Sequence, residues 1–101
     1  MAYKIKYFRS FNRTLNNSLR YIVNDLGNPV AARNLLTNTN NEIKKLADYP
    51  FTLRPFTYSK RSNTPYYRII VNNHYVFFTV RGNTLEMRYF IYNRRNYIEL
   101  I

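Results

Sequence analysis

The chain has no cysteine, no tryptophan, two glycines and one histidine among its 101 residues. Without cysteine there is neither a disulfide framework nor a thiolate metal site, and His74 alone cannot build an imidazole cluster, so no metal and no cofactor is expected. Acids are scarce: the five Asp and Glu residues stand singly, none at the spacing of a catalytic carboxylate pair, which argues against two-metal nuclease or glycosidase chemistry. No glycine-rich phosphate loop is present. Hydrophobic runs are short as well. None approaches the ~18 residues of a transmembrane helix. The opening MAYKIKYFRSF alternates charge with apolar residues where a secretory leader carries a continuous apolar stretch. The expected location is the cytoplasm, with no membrane partner.

What the chain has in quantity is positive charge. Sixteen Lys and Arg against five acids give a net charge of +11, with a pI near 10.2. Both halves of the chain are basic, so the charge belongs to the fold and not to a tail. Such a field concentrates on polyanions: RNA, DNA or an acidic protein. Hydrophobic residues make up 46% and aromatics 18%, enough for collapse despite a mean hydropathy of −0.50. The length suits one domain, residues 1–101, burying roughly 65% of its unfolded surface.

Residues 3–8, YKIKYF, place Tyr3, Ile5 and Tyr7 on one face and Lys4 and Lys6 on the other, which predicts a half-buried strand. After Ser10, a residue type that caps helices, Leu15, Leu19, Ile22 and Leu26 recur at helical spacing, and Gly27 stands where a C-cap belongs. Asn28-Pro29 then starts a second helix, with a core face of Ala32, Leu35, Leu36, Ile43 and Leu46, Thr39 filling the period and Pro50 ending it. Residues 51–65 lose periodicity and predict a loop with one short strand. Three strands follow at 66–71, 74–80 and 84–92, separated by Asn72-Asn73 and Arg81-Gly82-Asn83, residue types that accept the positive φ of tight hairpin turns. The expected fold class is α+β, in the order β-α-α-β-β-β. Its antiparallel sheet has the last three strands as a meander, the first strand joins it, and a helical hairpin packs on one face.

In the last strand, strict alternation groups Leu85, Met87, Tyr89 and Ile91 on one face and Glu86, Arg88, Phe90 and Tyr92 on the other. Arg68 joins the second group if the register permits, and Asn93, Arg94 and Arg95 follow where the chain leaves the sheet. Guanidinium groups beside tyrosines suit RNA, because Arg grips phosphate and rings stack on unpaired bases. The same residues also suit a structural role, the tyrosines as strand formers and the arginines as a solvated edge. Arg54, Lys60 and Arg61 of the loop, with Arg68 and Arg88, are the expected RNA-binding cations. His74, beside a turn, reads as a surface residue, and Glu86 beside Arg88 as a local salt bridge.

The element order resembles the RelE/ParE superfamily of toxins from bacterial type II toxin–antitoxin modules. The resemblance rests on the YKIKYF strand, the Asn-Pro-x-Ala-Ala entry and Leu-Ala-x-Tyr-Pro exit of the second helix, YYRIIVNNHYVFFTV, and the closing RYFIYNRRNY. It implies a cognate acidic antitoxin as partner and no small-molecule substrate. RelE-like members cleave mRNA on the ribosome without a metal, activating the ribose 2′-hydroxyl against the neighbouring phosphate. On that branch the resemblance implies catalytic roles for Tyr92, Arg94 and Arg95: an arginine to hold the phosphate, and the phenol to transfer a proton, orient or stack. ParE-like members inhibit DNA gyrase and need no catalytic set. Where RelE-like members place an Arg early in the third strand, this chain has Val76, and Arg68 stands one strand earlier, as in ParE-like members. The expected function is a toxin leaning to ribosome-dependent endoribonuclease action. Gyrase inhibition is the alternative, and a non-toxic nucleic-acid or protein binding module the third.

Overall fold

The computed structural model describes residues 3–48, 54–98 and 100–101. Strand β1 (Lys4–Tyr7) leads into helix α1 (Arg9–Arg20), which widens into a π-helical turn, Tyr21–Asp25. Helix α2 (Pro29–Asp48), a two-residue strand β2 (Thr57–Tyr58) and strands β3 (Pro65–Val71), β4 (His74–Arg81) and β5 (Thr84–Tyr92) complete the α+β order. The sheet runs β1-β5-β4-β3-β2. Strands β2 to β5 pair antiparallel, and the first strand joins this antiparallel sheet as expected, β1 lying parallel to β5. The chain can make that parallel pair because the helices and the meander separate β1 from β5 and supply the long crossover it needs.

Local chemistry accounts for most boundaries. Gly27 takes a φ of +61° and ends the first helical segment, and Asn28 caps α2 by accepting the Ala31 N–H on its side-chain oxygen at 3.1 Å. Asn72 (φ 55°) and Gly82 (φ 58°) turn the two hairpins. Ser10 is not a cap. Helix α1 begins at Arg9 behind Phe8, which makes no side-chain capping bond, and the Ser10 hydroxyl donates instead to the main-chain oxygen of Arg88. The helix end assigned to Pro50 lies outside the described residues.

The helical hairpin covers one sheet face. Phe11, Leu15, Leu35, Ile43 and Leu46 meet Val76, Phe78, Leu85, Met87 and Phe90 there, and the fully buried Thr39 hydroxyl is satisfied by the Leu35 carbonyl at 2.7 Å. Leu26 and Leu36, expected in this core, are exposed at 59% and 38%. Leu26 follows the π-helical turn, where the 3.6-residue spacing no longer holds, and Leu36 lies beside the buried stripe of Ala32, Leu35, Thr39 and Ile43.

Strict alternation in β5 also fails, for a definable reason. Phe77 pairs with Tyr89 and Phe78 with Met87, so Arg88 is an extra residue in a β-bulge. Beyond it every side chain changes face. Phe90 joins Leu85 and Met87 under the helices, while Tyr89 and Ile91 join Glu86 on the opposite face. That opposite face is not open throughout. Tyr66, Phe77, Ile91 and Ile101 form a second core there, with Tyr97 and Leu100 of the C-terminal segment packed on it. The Ser59 hydroxyl fastens this segment by donating to the Ile101 main-chain oxygen.

Candidate functional site

Two hydroxyls on α1 repair the bulge. Ser10 takes up the Arg88 carbonyl, and Thr14 Oγ1 accepts the Phe90 N–H at 2.9 Å, so the end of β5 is tied to the helix. Beyond this tie, the widened helical turn, the start of α2 and the β3–β4 turn leave a groove of about 680 Å³. Tyr21, Leu26 and Leu35 supply apolar wall, and His74, Tyr92 and Arg95 supply the chemistry.

His74 opens β4 opposite Tyr92, the last residue of β5. Its ring stacks on Phe90 with centroids 4.7 Å apart and meets the Tyr92 ring edge-on at 5.5 Å. Burial lowers its pKa, so the imidazole is neutral at pH 7. Its Nδ1 is buried and has no hydrogen-bond partner among the described residues. Tyr92 is 43% exposed. Directly after it the Arg95 N–H bonds to the Tyr92 carbonyl at 2.9 Å, and this turn brings Arg95 back to line the groove. Arg94 is exposed beside that turn but does not line the groove.

The other expected cations lie elsewhere. Arg68 sits on the face opposite the helices, in register with Phe77, and its guanidinium stacks on Phe56 at 3.7 Å and on Tyr75 at 4.5 Å. Arg88 reaches the same face as Arg68. Its Nε donates to Thr79 at 3.0 Å, its Nη2 lies 3.4 Å from the Glu86 carboxylate, and its guanidinium covers the Phe8 ring at 4.0 Å. The expected Glu86–Arg88 salt bridge is thus present, with Thr79 donating to the same carboxylate at 2.9 Å. Tyr66, beside this group, has its phenol pKa raised mainly by burial. Lys60 and Arg61 are exposed on the β2–β3 turn, and Arg54 is exposed ahead of β2. The structure therefore brings Tyr92 and Arg95 together and separates them from Arg68 and Arg88.

Two features escaped the sequence reading. His74, expected at the surface, is half-buried on the groove wall with its ring stacked on Phe90. Phe90 and Tyr92 belong to the helix side, because the bulge at Arg88 reverses their face. Neither has a local signal. The position of Val76, where the resemblance expects an Arg, is wholly buried in the helix-side core. Among the described residues no three His, Asp or Glu side chains are grouped to hold a metal ion, and no helix is long and apolar enough to cross a membrane.

No family model and no curated protein matches the sequence. Among solved structures, a chain of the "Chromosomal ParDE TA system from P. aeruginosa" shares the fold with a TM-score of 0.68 at 15% sequence identity, over 90% of this chain and 96% of that one.

Proposed function

We propose that this protein is the toxin of a toxin–antitoxin module, restrained by an acidic antitoxin, and that it acts on RNA. The observation that carries the toxin reading is a fold shared along 90% of the chain with a member of a ParDE toxin–antitoxin system, on a protein of net charge +11. A partner rich in carboxylates neutralises that field while covering apolar surface such as Tyr21, Leu26 and Val30.

Support for RNA comes from the groove. Metal-free cleavage needs a base for the ribose 2′-proton, a cation for the phosphorane and a proton donor for the departing 5′-oxygen. The neutral imidazole of His74, the Arg95 guanidinium and the Tyr92 phenol line one cavity. With so few groups, the ribosome must position the message. A gyrase-directed mode is the second reading. It is favoured by Val76 in the core and by Arg68 and Arg88, both engaged within the chain.

Brief expression, followed by parallel mapping of mRNA ends and of plasmid supercoiling, separates the two. New 5′ ends within translated messages are expected. Intact messages with loss of negative supercoiling transfer the reading to gyrase, and an unaffected cell removes the toxin reading altogether. Co-expression of the flanking open reading frame is expected to restore growth.

A further inference from the structure

The groove beneath α1 has an unbalanced set of polar groups. Asn17, Asn28 and Asn72 each have the side-chain oxygen occupied, by Arg20 at 2.9 Å, by the Ala31 N–H at 3.1 Å and by Asn38 at 3.4 Å. Their amide nitrogens donate to nothing among the described residues, and neither does the Arg95 guanidinium. Among the described residues no Asp or Glu lines the cavity. A site with spare donors and no acid takes an acceptor-rich anion.

The rest of the lining restricts that anion further. Tyr21, Leu26, Leu35 and Phe90 give the groove an apolar body, and its roughly 680 Å³ is the size of a small-ligand site. His74 adds its imidazole to this wall, its Nδ1 buried and without a partner among the described residues. An inorganic anion would leave the apolar wall and the amides further along it unused. A planar heterocycle carrying a phosphate uses both.

We propose that this groove is a nucleotide site, holding one unpaired nucleotide with its base against the apolar wall and the asparagine amides and its phosphate on Arg95. The inference rests on the RNA reading above for the origin of that nucleotide and names its place: the helix side of the sheet, away from Arg68 and Arg88. Tyr92 and His74 then lie along the bound nucleotide.

The test is a nuclear magnetic resonance titration of the intact protein with each of the four nucleoside 5′-monophosphates, with ribose 5-phosphate and inorganic phosphate as controls. The expected result is saturable shifts at the amides of Asn17, Asn73 and Phe90 and at the His74 ring for at least one nucleotide, with ribose 5-phosphate and phosphate at least tenfold weaker. Asn17→Ala and Arg95→Ala should each weaken binding about tenfold, the effect of losing one hydrogen bond to a charged or polar ligand group. Lys45→Ala, which removes the same charge from the far part of α2, should leave it unchanged. Equal affinity for phosphate and nucleotide overturns the proposal, as does equal weakening by Lys45→Ala. Groove amides that ignore nucleotides but move with an acidic amphipathic peptide assign the cavity to a protein partner and overturn it too. A single-stranded RNA oligonucleotide that displaces the mononucleotide identifies RNA as the source, and binding of free nucleotide alone identifies a soluble one. The readout does not depend on toxicity, so a protein that binds nucleotides but cuts no message keeps this inference and loses the nuclease reading.

Discussion

The Thr14 hydroxyl accepts the Phe90 main-chain N–H at 2.9 Å, across 76 positions of sequence, and this bond holds the far half of β5 under α1. The bulge at Arg88 turns Phe90 towards the helix, and Thr14 meets it there. Thr14→Val keeps the shape and leaves a buried N–H unsatisfied. It is expected to cost about 1–3 kcal/mol, seen as a fall in Tm of several degrees. Thr14→Ser, which retains the hydroxyl, should recover most of the loss.

Neutralising Arg94 and Arg95 together should abolish toxicity. Both side chains are exposed, so the double alanine variant should keep its stability within ~0.5 kcal/mol per site by thermal denaturation. A folded double variant that remains fully toxic moves the search to Arg54, Lys60 and Arg61, exposed around β2.

Tyr92→Phe is a finer probe, because it removes the hydroxyl and keeps the ring against His74. A large loss of mRNA cleavage assigns a hydrogen bond or proton transfer to the phenol. Full activity in Tyr92→Phe with loss in Tyr92→Ala assigns stacking.

Burial lowers the pKa of His74 below its ordinary value of 6.5. Above that value neither the folded nor the unfolded chain protonates it, and its contribution to stability is complete. As the pH falls below 6.5 the unfolded chain takes up the proton first, so folding weakens until the depressed folded pKa is passed. Thermal denaturation between about pH 7.5 and pH 5.5 should show this decline. His74→Phe, which keeps a ring on Phe90, should flatten it.

Arg68 is held by Phe56 and Tyr75, so its replacement should act on stability before activity. Arg68→Leu should lower stability by about 1 kcal/mol, the scale of a partly desolvated cation–π contact. Retained toxicity in that variant supports a structural role, and a toxicity loss with unchanged Tm places Arg68 in the binding surface instead.

Features governed by a few consecutive residues were readable from the chain. Asn28 capping α2, Gly27 ending the segment before it, and Asn72 and Gly82 turning the hairpins all depend on local φ and on side-chain reach of two or three residues. The strands at 74–81 and 84–92 follow from β-branched and aromatic runs between those turns. Leu26 and Leu36 show the limit of periodicity, which assumes regular helix and does not register the π-helical turn before Leu26 or the edge of the buried stripe at Leu36.

Sequence by itself determined the α+β class, the element order, the absence of thiolate or histidine-cluster metal chemistry and a strongly basic surface, because these depend on composition and short-range patterning. Tertiary structure alone decided that β1 runs parallel to β5, that Arg88 is a bulge residue which reverses the faces of Tyr89, Phe90, Ile91 and Tyr92, and that His74 shares a groove with Tyr92 and Arg95. Each of these rests on partners distant in sequence. Strand register is chosen by the whole buried face at once, and an extra residue in one strand is visible only against the strand it pairs with.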